Sequence, residues 1–410
     1  MKRPSLIATI GDWIAPCLVG SVLATTSLTV LAQGLPTDSI APRLARPAPL
    51  VLHRPPFNPL ADRSSLGGQI EDDFRTAADR KALLVAIDHS LRYLQTTRAI
   101  ADYRHSPMPE ITLERVRRSL QRFRQLLLTV SSSTQLQAAI AREFVFYQAI
   151  GKDGQGTVAF TGYFEPVYVA SRIPTATFRY PIFRTPPNLS RWVKPHPTRL
   201  QLEGADGLQF HNGPLRGLEL VWLRDRLEAF LIQVQGSARL QLTDGSTMTV
   251  SHADNTDYPY TGIGRELVKA GKFKLEDLTL PLLIKYLAEH PAEMDVYLPR
   301  NTRFVFFRAT GGAPAMGSLG VPVTAERSIA TDKTQFPPGA LALIQTRIPE
   351  FNASGQLEQR FVNRYVLDQD TGGAIKGTGR VDLFMGTGKR AGDRAGLINA
   401  PGCLYYLLLK

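Results

Sequence analysis

A mainly β chain with a helical N-terminal part is predicted by three features of the sequence. Apolar residues recur at helical spacing before residue 150; short words of β-branched and aromatic residues, punctuated by Pro and Gly, follow from residue 157; and a glycine-rich run from Asp370 to Gly388 frames apolar words near the end.

The elements follow in order. Leu83, Leu84, Ile87, Leu91 and Leu94 share a helical period, as do apolar residues over 111–128 and 136–147, which predicts amphipathic helices that pack rather than catalyse. The period then changes. Residues 157–163, 180–183, 218–223, 229–235, 239–242 and 247–250 read as strands, with Asp244-Gly245 as the turn of a hairpin. A helix over 264–269 closes at Gly271, and another over 280–289 stops at Pro291. Strands resume at 303–307, 340–345, 360–367 and 402–409, and Ala374-Ile375, Val381 and Leu383-Phe384 read as buried strand within the glycine-rich run. No internal repeat is present.

A chain of 410 residues has room for two domains, or for one domain carrying a large insertion. Its formal charge of +12 calls for an acidic partner, but Lys and Arg are spread along the chain, which favours diffuse attraction over a nucleic-acid-binding arm. Lys2 and Arg3 precede an apolar run over 14–31, and Val30-Leu31-Ala32 before Gln33 resembles a cleavage site, so residues 1–32 read as an export signal. An uncleaved anchor is the alternative, since the run approaches the ~18 apolar residues a spanning helix needs. Cys17 lies too early in the run to be a good lipid-attachment site. Residues 33–70, rich in Pro, Arg, Ala and Leu without periodicity, read as a tether. Without the signal only Cys403 remains, a small apolar side chain among Leu404, Tyr405, Tyr406 and Leu407, so no internal disulfide is expected.

Several chemistries are set aside by missing motifs: the Gly-x-Ser-x-Gly elbow, His-Glu-x-x-His, the phosphate loop and paired zinc cysteines. His211 and His252 lie in polar stretches and read as hydrogen-bonded surface residues rather than metal ligands. What remains is acids, polar side chains and glycines at strand ends, the material of a carbohydrate cleft. The words are Thr161-Gly162-Tyr163 with Glu165-Pro166, Gln233-Val-Gln235-Gly236-Ser237, and the run from Asp370 to Gly388. Asp382 sits between Val381 and Leu383-Phe384; a carboxyl in that setting resists ionisation and is a candidate general acid.

Taken together and in this order, these words resemble the membrane-bound lytic murein transglycosylase A family over residues 74–410. The matching stretches are Thr161-Gly-Tyr163 with Pro166, Tyr180-Pro-Ile-Phe-Arg184, Val234-Gln-Gly-Ser237, Ile263-Gly264, Phe304-Val-Phe-Phe307, Arg327-Ser-Ile-Ala-Thr-Asp332 with Pro337-Pro-Gly339, Asp370-Thr-Gly-Gly-Ala-Ile-Lys-Gly377, Asp382, Gly386-Thr-Gly388 and Ala395-Gly396. The C-terminal part also resembles a three-aspartate domain, whose acids match Asp332, Asp370 and Asp382. The family's lipobox cysteine has no convincing counterpart here.

The resemblance implies a double-psi β-barrel formed by residues 71–165 and 310–410, with a second β domain, 166–309, inserted into it and a glycan groove between the two. It implies a peptidoglycan lytic transglycosylase that cuts the β-1,4 bond between N-acetylmuramic acid and N-acetylglucosamine and leaves a 1,6-anhydromuramic end, with Asp382 as the acid and no cofactor or metal. A hydrolase needs two carboxyls, about 5–5.5 Å or about 6.5–9.5 Å apart, whereas this reaction needs one. Asp370 and Asp332 are grouped with Asp382 as catalytic candidates, with a structural role as the alternative; Glu165 would permit hydrolysis if it faced Asp382. Thr161, Gly162, Tyr163, Gln235, Gly236, Ser237 and Lys376 are the expected substrate contacts. The expected partner is the peptidoglycan glycan strand rather than nucleic acid, together with wall-synthesis or wall-degradation proteins, for a monomer exported to the periplasm, with association with the outer membrane as a further option. The rival from another class is an expansin-like wall-binding protein without catalysis.

Overall fold

A computed structural model describes residues 52–53 and 77–410; the expected export signal lies outside the described residues, as does most of the expected tether. Two tether residues are an exception. Leu52–His53 form strand β1, and Leu52 is buried. Four helices follow: α1 (Ala77–Tyr93), α2 (Thr97–Arg104), α3 (Leu113–Thr129) and α4 (Ser133–Glu143). Thr96, Thr112 and Ser132 cap the last three, each side-chain oxygen accepting a backbone N–H three residues on.

The first sheet contains β2 (Phe144–Ala149), β3 (Val158–Glu165), β10 (Ser328–Ala330), β11 (Leu341–Phe351), β12 (Leu357–Asp370), β13 (Arg380–Thr387) and β14 (Asn399–Leu409); the second is built from β4 (Val167–Ser171), β5 (Tyr180–Phe183), β6 (Glu219–Leu223), β7 (Ser237–Leu242), β8 (Thr247–Asn255) and β9 (Val305–Ala309). Among the second sheet's strands run helices α5 (Arg199–Glu203), α6 (Arg226–Gln235), α7 (Ile263–Lys269), α8 (Leu280–Glu289) and α9 (Pro291–Tyr297), while α10 (Lys389–Ala395) links β13 to β14.

Six strands of the first sheet form a ring in the order β14-β11-β12-β10-β13-β3, closed by pairing of β3 with β14. Two of its pairs, β10 with β12 and β13 with β3, are parallel, in keeping with the double-psi expectation. Its wall is filled from inside by Phe160, Ile329, Ile344, Val366, Val381, Leu383 and Leu404, all essentially without exposure. Helices α1 and α3 cover one flank, where Phe123 meets the edges of Phe144 and Tyr365 at centroid distances of 6.1 and 5.0 Å. β2 extends the sheet beside β14, and its free edge is taken up by β1.

The chain passes from β3 to β4 across Pro166 alone and returns from β9 to β10 through residues 310–327. The second sheet, ordered β5-β6-β4-β7-β8-β9, carries its own apolar core of Ile182, Val221, Leu223, Ile232, Leu240, Val250 and Phe307.

Three expected elements differ. Residues 229–235, read as a strand, belong to α6, whose residues are buried on nearly every side so that no polar face marks the helical period. The readable signals were its ends: Asp225 caps the Leu227 N–H, and Gly236 closes the helix at φ 80°. The third helical pattern stops at Glu143, and Phe144–Ala149 is a strand buried on both faces. Ala374-Ile375 lies in a turn, not a strand.

Candidate active site

The register of four neighbouring strands lays out the site. Ala330 of β10 pairs with Asp370 of β12 on one side and Asp382 of β13 on the other, and Asp382 pairs in turn with Thr161 of β3. The row Asp370–Ala330–Asp382–Thr161 therefore crosses the barrel wall, with an irregularity of register at Ala330 where β10 meets β12. Neighbouring strands lie about 4.8 Å apart, so the two aspartate backbones stand near 10 Å from each other.

The two carboxyls meet different surroundings. Asp382 alternates with the core residues Val381 and Leu383, so its side chain stands on the outer face of the wall. Its Oδ1 is buried without a hydrogen-bond partner, as is Thr161 Oγ1, although the hydroxyl is near enough to favour the carboxylate. Burial pushes the Asp382 pKa up to about 6, helped by the charge of Asp370 and opposed by Thr161 and Arg380. A group so poised can hold a proton and give it up.

Asp370 is committed elsewhere. Its carboxylate accepts hydrogen bonds from Tyr163 Oη at 2.7 Å and from the Ser318 and Thr371 N–H groups at 2.8 Å each. Asp332 likewise accepts from the Gly377 N–H at 2.8 Å through Oδ2 and from the Thr334 hydroxyl at 2.7 Å through Oδ1. Burial disfavours its charge, but these bonds and Lys376 outweigh it and hold its pKa below the usual value. Through these bonds Asp370 ties β12 to β3 and to the 311–321 loop, and Asp332 ties down the 371–379 loop.

Glu165 does not face Asp382. It lies at the far end of β3, in register with Thr387, fully buried, accepting from Thr387 Oγ1 at 2.8 Å and standing 3.6 Å from Arg239.

Of the expected substrate contacts, Gly162 and Tyr163 also hold the barrel together. A Cβ at Gly162 would stand 2.8–2.9 Å from Ile398 and the Ala395 backbone, so this glycine lets α10 approach β3. The Tyr163 hydroxyl is spent on Asp370, and its ring packs on Phe384 at 5.2 Å. Gln235 Oε1 accepts the Phe164 N–H at 3.0 Å, joining the end of α6 to β3 and leaving its amide NH2 without a partner among the described residues. Gly236 faces open space, Ser237 is buried opposite Ser251, and Lys376 is exposed beside Asp332.

The inserted part of the chain approaches the glycine-rich run. A Cβ at Gly373 would stand 3.3 Å from Tyr260 Cβ and 3.4 Å from the Arg303 guanidinium, so the glycine-rich run touches the insert there. Arg303 is itself held by Asn255 Oδ1 at 2.5 Å and Tyr258 O at 3.2 Å. Behind it the fully buried Arg199 fixes the start of β9 through Arg303 O at 2.9 Å, flanked by the rings of Phe230 and Phe304 at 5.0 Å. His252, exposed on β8, bonds Asn255 through Nε2, the surface role expected of it.

Arg380 and Tyr260 also lie within electrostatic reach of Asp382 or of one another, and neither is among the residues expected above. Arg380 could have been found by alternation, since it stands two residues before Asp382 on the same strand. Tyr260 carried no signal beyond an aromatic residue in a polar stretch. Among the described residues no group of His, Cys, Asp and Glu is placed to hold a metal ion, and no helix is long and apolar enough to cross a membrane.

Two family models match this chain, the MltA specific insert domain over residues 159–308 and the 3D domain over residues 327–408. Membrane-bound lytic murein transglycosylase A of Escherichia coli K12 is 32% identical over 64% of this chain and 68% of its own length. The chain belongs to the membrane-bound lytic murein transglycosylase A family. The Vibrio cholerae protein of the same name is 34% identical, over 63% of this chain and 68% of that one. Two solved members of the family share the fold. The membrane-bound lytic murein transglycosylase of Agrobacterium tumefaciens aligns with a TM-score of 0.64 at 26% identity, covering 81% of this chain and 93% of that one. Escherichia coli MltA with bound chitohexaose aligns at the same TM-score with 25% identity, covering 88% and 94%.

Proposed function

We propose that the protein is a peptidoglycan lytic transglycosylase that cleaves the β-1,4 bond between N-acetylmuramic acid and N-acetylglucosamine with Asp382 as its single general acid and base. The observation that carries this reading is the contrast between the three aspartates: burial raises the pKa of both Asp382, to about 6, and Asp370, but Asp382 is the one with an unpartnered oxygen, while Asp332 and Asp370 are bound to backbone N–H groups. Family membership supplies the reaction class, and the chitohexaose bound by the Escherichia coli relative supplies the kind of polymer such a groove accommodates.

The reaction needs one carboxyl used twice. Protonated Asp382 gives its proton to the glycosidic oxygen, the C1–O bond breaks, and the N-acetylglucosamine end leaves as an alcohol. The resulting carboxylate then takes the proton from the C6 hydroxyl of the muramyl sugar as that oxygen closes on C1, forming the 1,6-anhydro ring and restoring the acid. The nucleophile is already part of the substrate, so no second carboxylate is required to activate water. A glycan lying over Asp382 excludes water and pushes its pKa further up, which protects the acid form at neutral pH. Thr161, the Gln235 amide, Gly236, Ser237 and Lys376 are the contacts we assign to the sugar chain. The net charge of +12 suits a wall rich in lactyl and peptide carboxylates, and we place the site of action in the cell envelope.

The deciding experiment is mass spectrometry of fragments released from purified peptidoglycan, run beside Asp382→Asn. Anhydromuramyl ends that vanish in the variant are the expected result. Reducing ends would mean hydrolysis, and binding without release would return the protein to the wall-binding class.

A further inference from the structure

We propose that Arg380 and Tyr260, one from each side of the groove, form a donor pair that binds an acyl carbonyl oxygen of the sugar held over Asp382. This rests on the transglycosylase reading and deepens it by naming a substrate group and the residues that select it.

Arg380 opens β13 and shares the outer face of that strand with Asp382, about 7 Å along it. Its Nε is buried without a partner, and the side chain makes no hydrogen bond or ion pair among the described residues. Arg226 and Arg364 also leave a buried Nε without a hydrogen bond, but each is anchored elsewhere on its guanidinium, as the other enclosed arginines are: Arg199 to Glu203 and Gln233, Arg226 to Asp295, Arg364 and Arg394 to Glu326. A guanidinium is donor-only, so an enclosed one without an acceptor is waiting for one.

Tyr260 reaches the same place from the connection between β8 and α7. It is half-buried, its hydroxyl makes no hydrogen bond among the described residues, and it is close enough to Arg380 and Asp382 to feel both charges. A Cβ added at Gly373 would stand 3.3 Å from the Tyr260 Cβ, so the glycine-rich run passes close beside it.

The chemistry of the acid explains why the pair is left open. An ion pair between Arg380 and Asp382 would hold the carboxyl ionised and remove the proton the reaction needs. A neutral carbonyl oxygen satisfies the guanidinium without that penalty. Amino sugars offer this acceptor in two places: the N-acetyl group, present in chitin and peptidoglycan alike, and the lactyl acyl group, carried by muramyl residues only.

The test uses the full chain carrying Asp382→Asn, so that glycan binds without being cut, and measures affinity by calorimetry for chitohexaose and for soluble peptidoglycan strands. Adding Arg380→Gln is expected to weaken binding about 10- to 100-fold and Tyr260→Phe about 3- to 10-fold, with Arg380→Lys between parent and Arg380→Gln. Loss on both ligands assigns the acceptor to the N-acetyl group; loss on peptidoglycan strands alone assigns it to the lactyl acyl group. Unchanged affinity for both ligands, or a parent that binds neither, overturns the proposal. Should Arg380→Gln fail to fold, Tyr260→Phe, which removes a single hydroxyl oxygen, is judged by the same criteria. Failure of the transglycosylase reading would show separately, as reducing ends or no release by the unmodified protein.

Discussion

Asp382 on β13 stands in register with Thr161 on β3, and neither Asp382 Oδ1 nor Thr161 Oγ1 has a well-formed hydrogen bond. Their one interaction favours the carboxylate, so it tunes the acid rather than holding the fold. Activity that requires protonated Asp382 falls as pH rises through about 6. Thr161→Val removes the hydroxyl at nearly constant volume and should move this descending limb of kcat/KM to higher pH. A purely structural or glycan-contact role for Thr161 would change the height of the profile and leave its midpoint in place.

Asp382 also costs stability. Its folded pKa of about 6 lies above the ordinary 3.8, so the folded state binds the proton more tightly and loses stability as pH rises from about 4 through 6. Asp382→Asn should therefore unfold at higher denaturant than the parent at pH 8, by about 1–3 kcal/mol after allowing for partial exposure of the side chain, with the gap closing near pH 3. Equal or lower stability at pH 8 would contradict the raised pKa.

Asp332 has the opposite sign. Its folded pKa lies below 3.8, so its contribution is present above that value and fades as pH falls below it. Asp332→Asn should lose about 1–3 kcal/mol at pH 7 by weakening the hold on Gly377 and Thr334, and the difference should shrink in acid. The fragments released should keep the same chemical ends, at a lower rate, as mass spectrometry of the products would reveal.

Gly162→Ala tests the packing of α10. With the Ala395 backbone 2.9 Å from the new Cβ, the helix must move, and overpacking of this kind costs about 1–3 kcal/mol in denaturant unfolding. Unaltered stability would mean that α10 shifts freely.

Glu165→Gln should leave the products unchanged, because the acid is enclosed with Thr387 and Arg239, away from Asp382. A switch in product ends would give it a part in the chemistry.

The barrel strands were legible because their apolar words are bounded by glycine and proline, and Asp382 was legible because alternation sets it between Val381 and Leu383. α6 was not: burial on nearly all sides erased the helical period, and only Asp225 and Gly236 marked its ends. The three-aspartate pattern was readable, but which of the carboxyls receives backbone N–H groups was not, since that depends on where the 311–321 and 371–379 loops fold back. Tyr260 escaped for a related reason, because the residues it meets in the groove lie more than one hundred positions away in sequence.

β14 pairs with β2, β3 and β11, and it is the last strand of the ring in sequence. A polypeptide emerging from the ribosome delivers Thr161 and the entire inserted domain long before Asp382, and the barrel stays open until β14 follows. Parallel pairing of β3 with β13 spans more than two hundred residues, a long-range contact of the slow-forming kind. A chain released between β13 and β14 therefore carries Asp382 without the strand that joins the two ends of the wall.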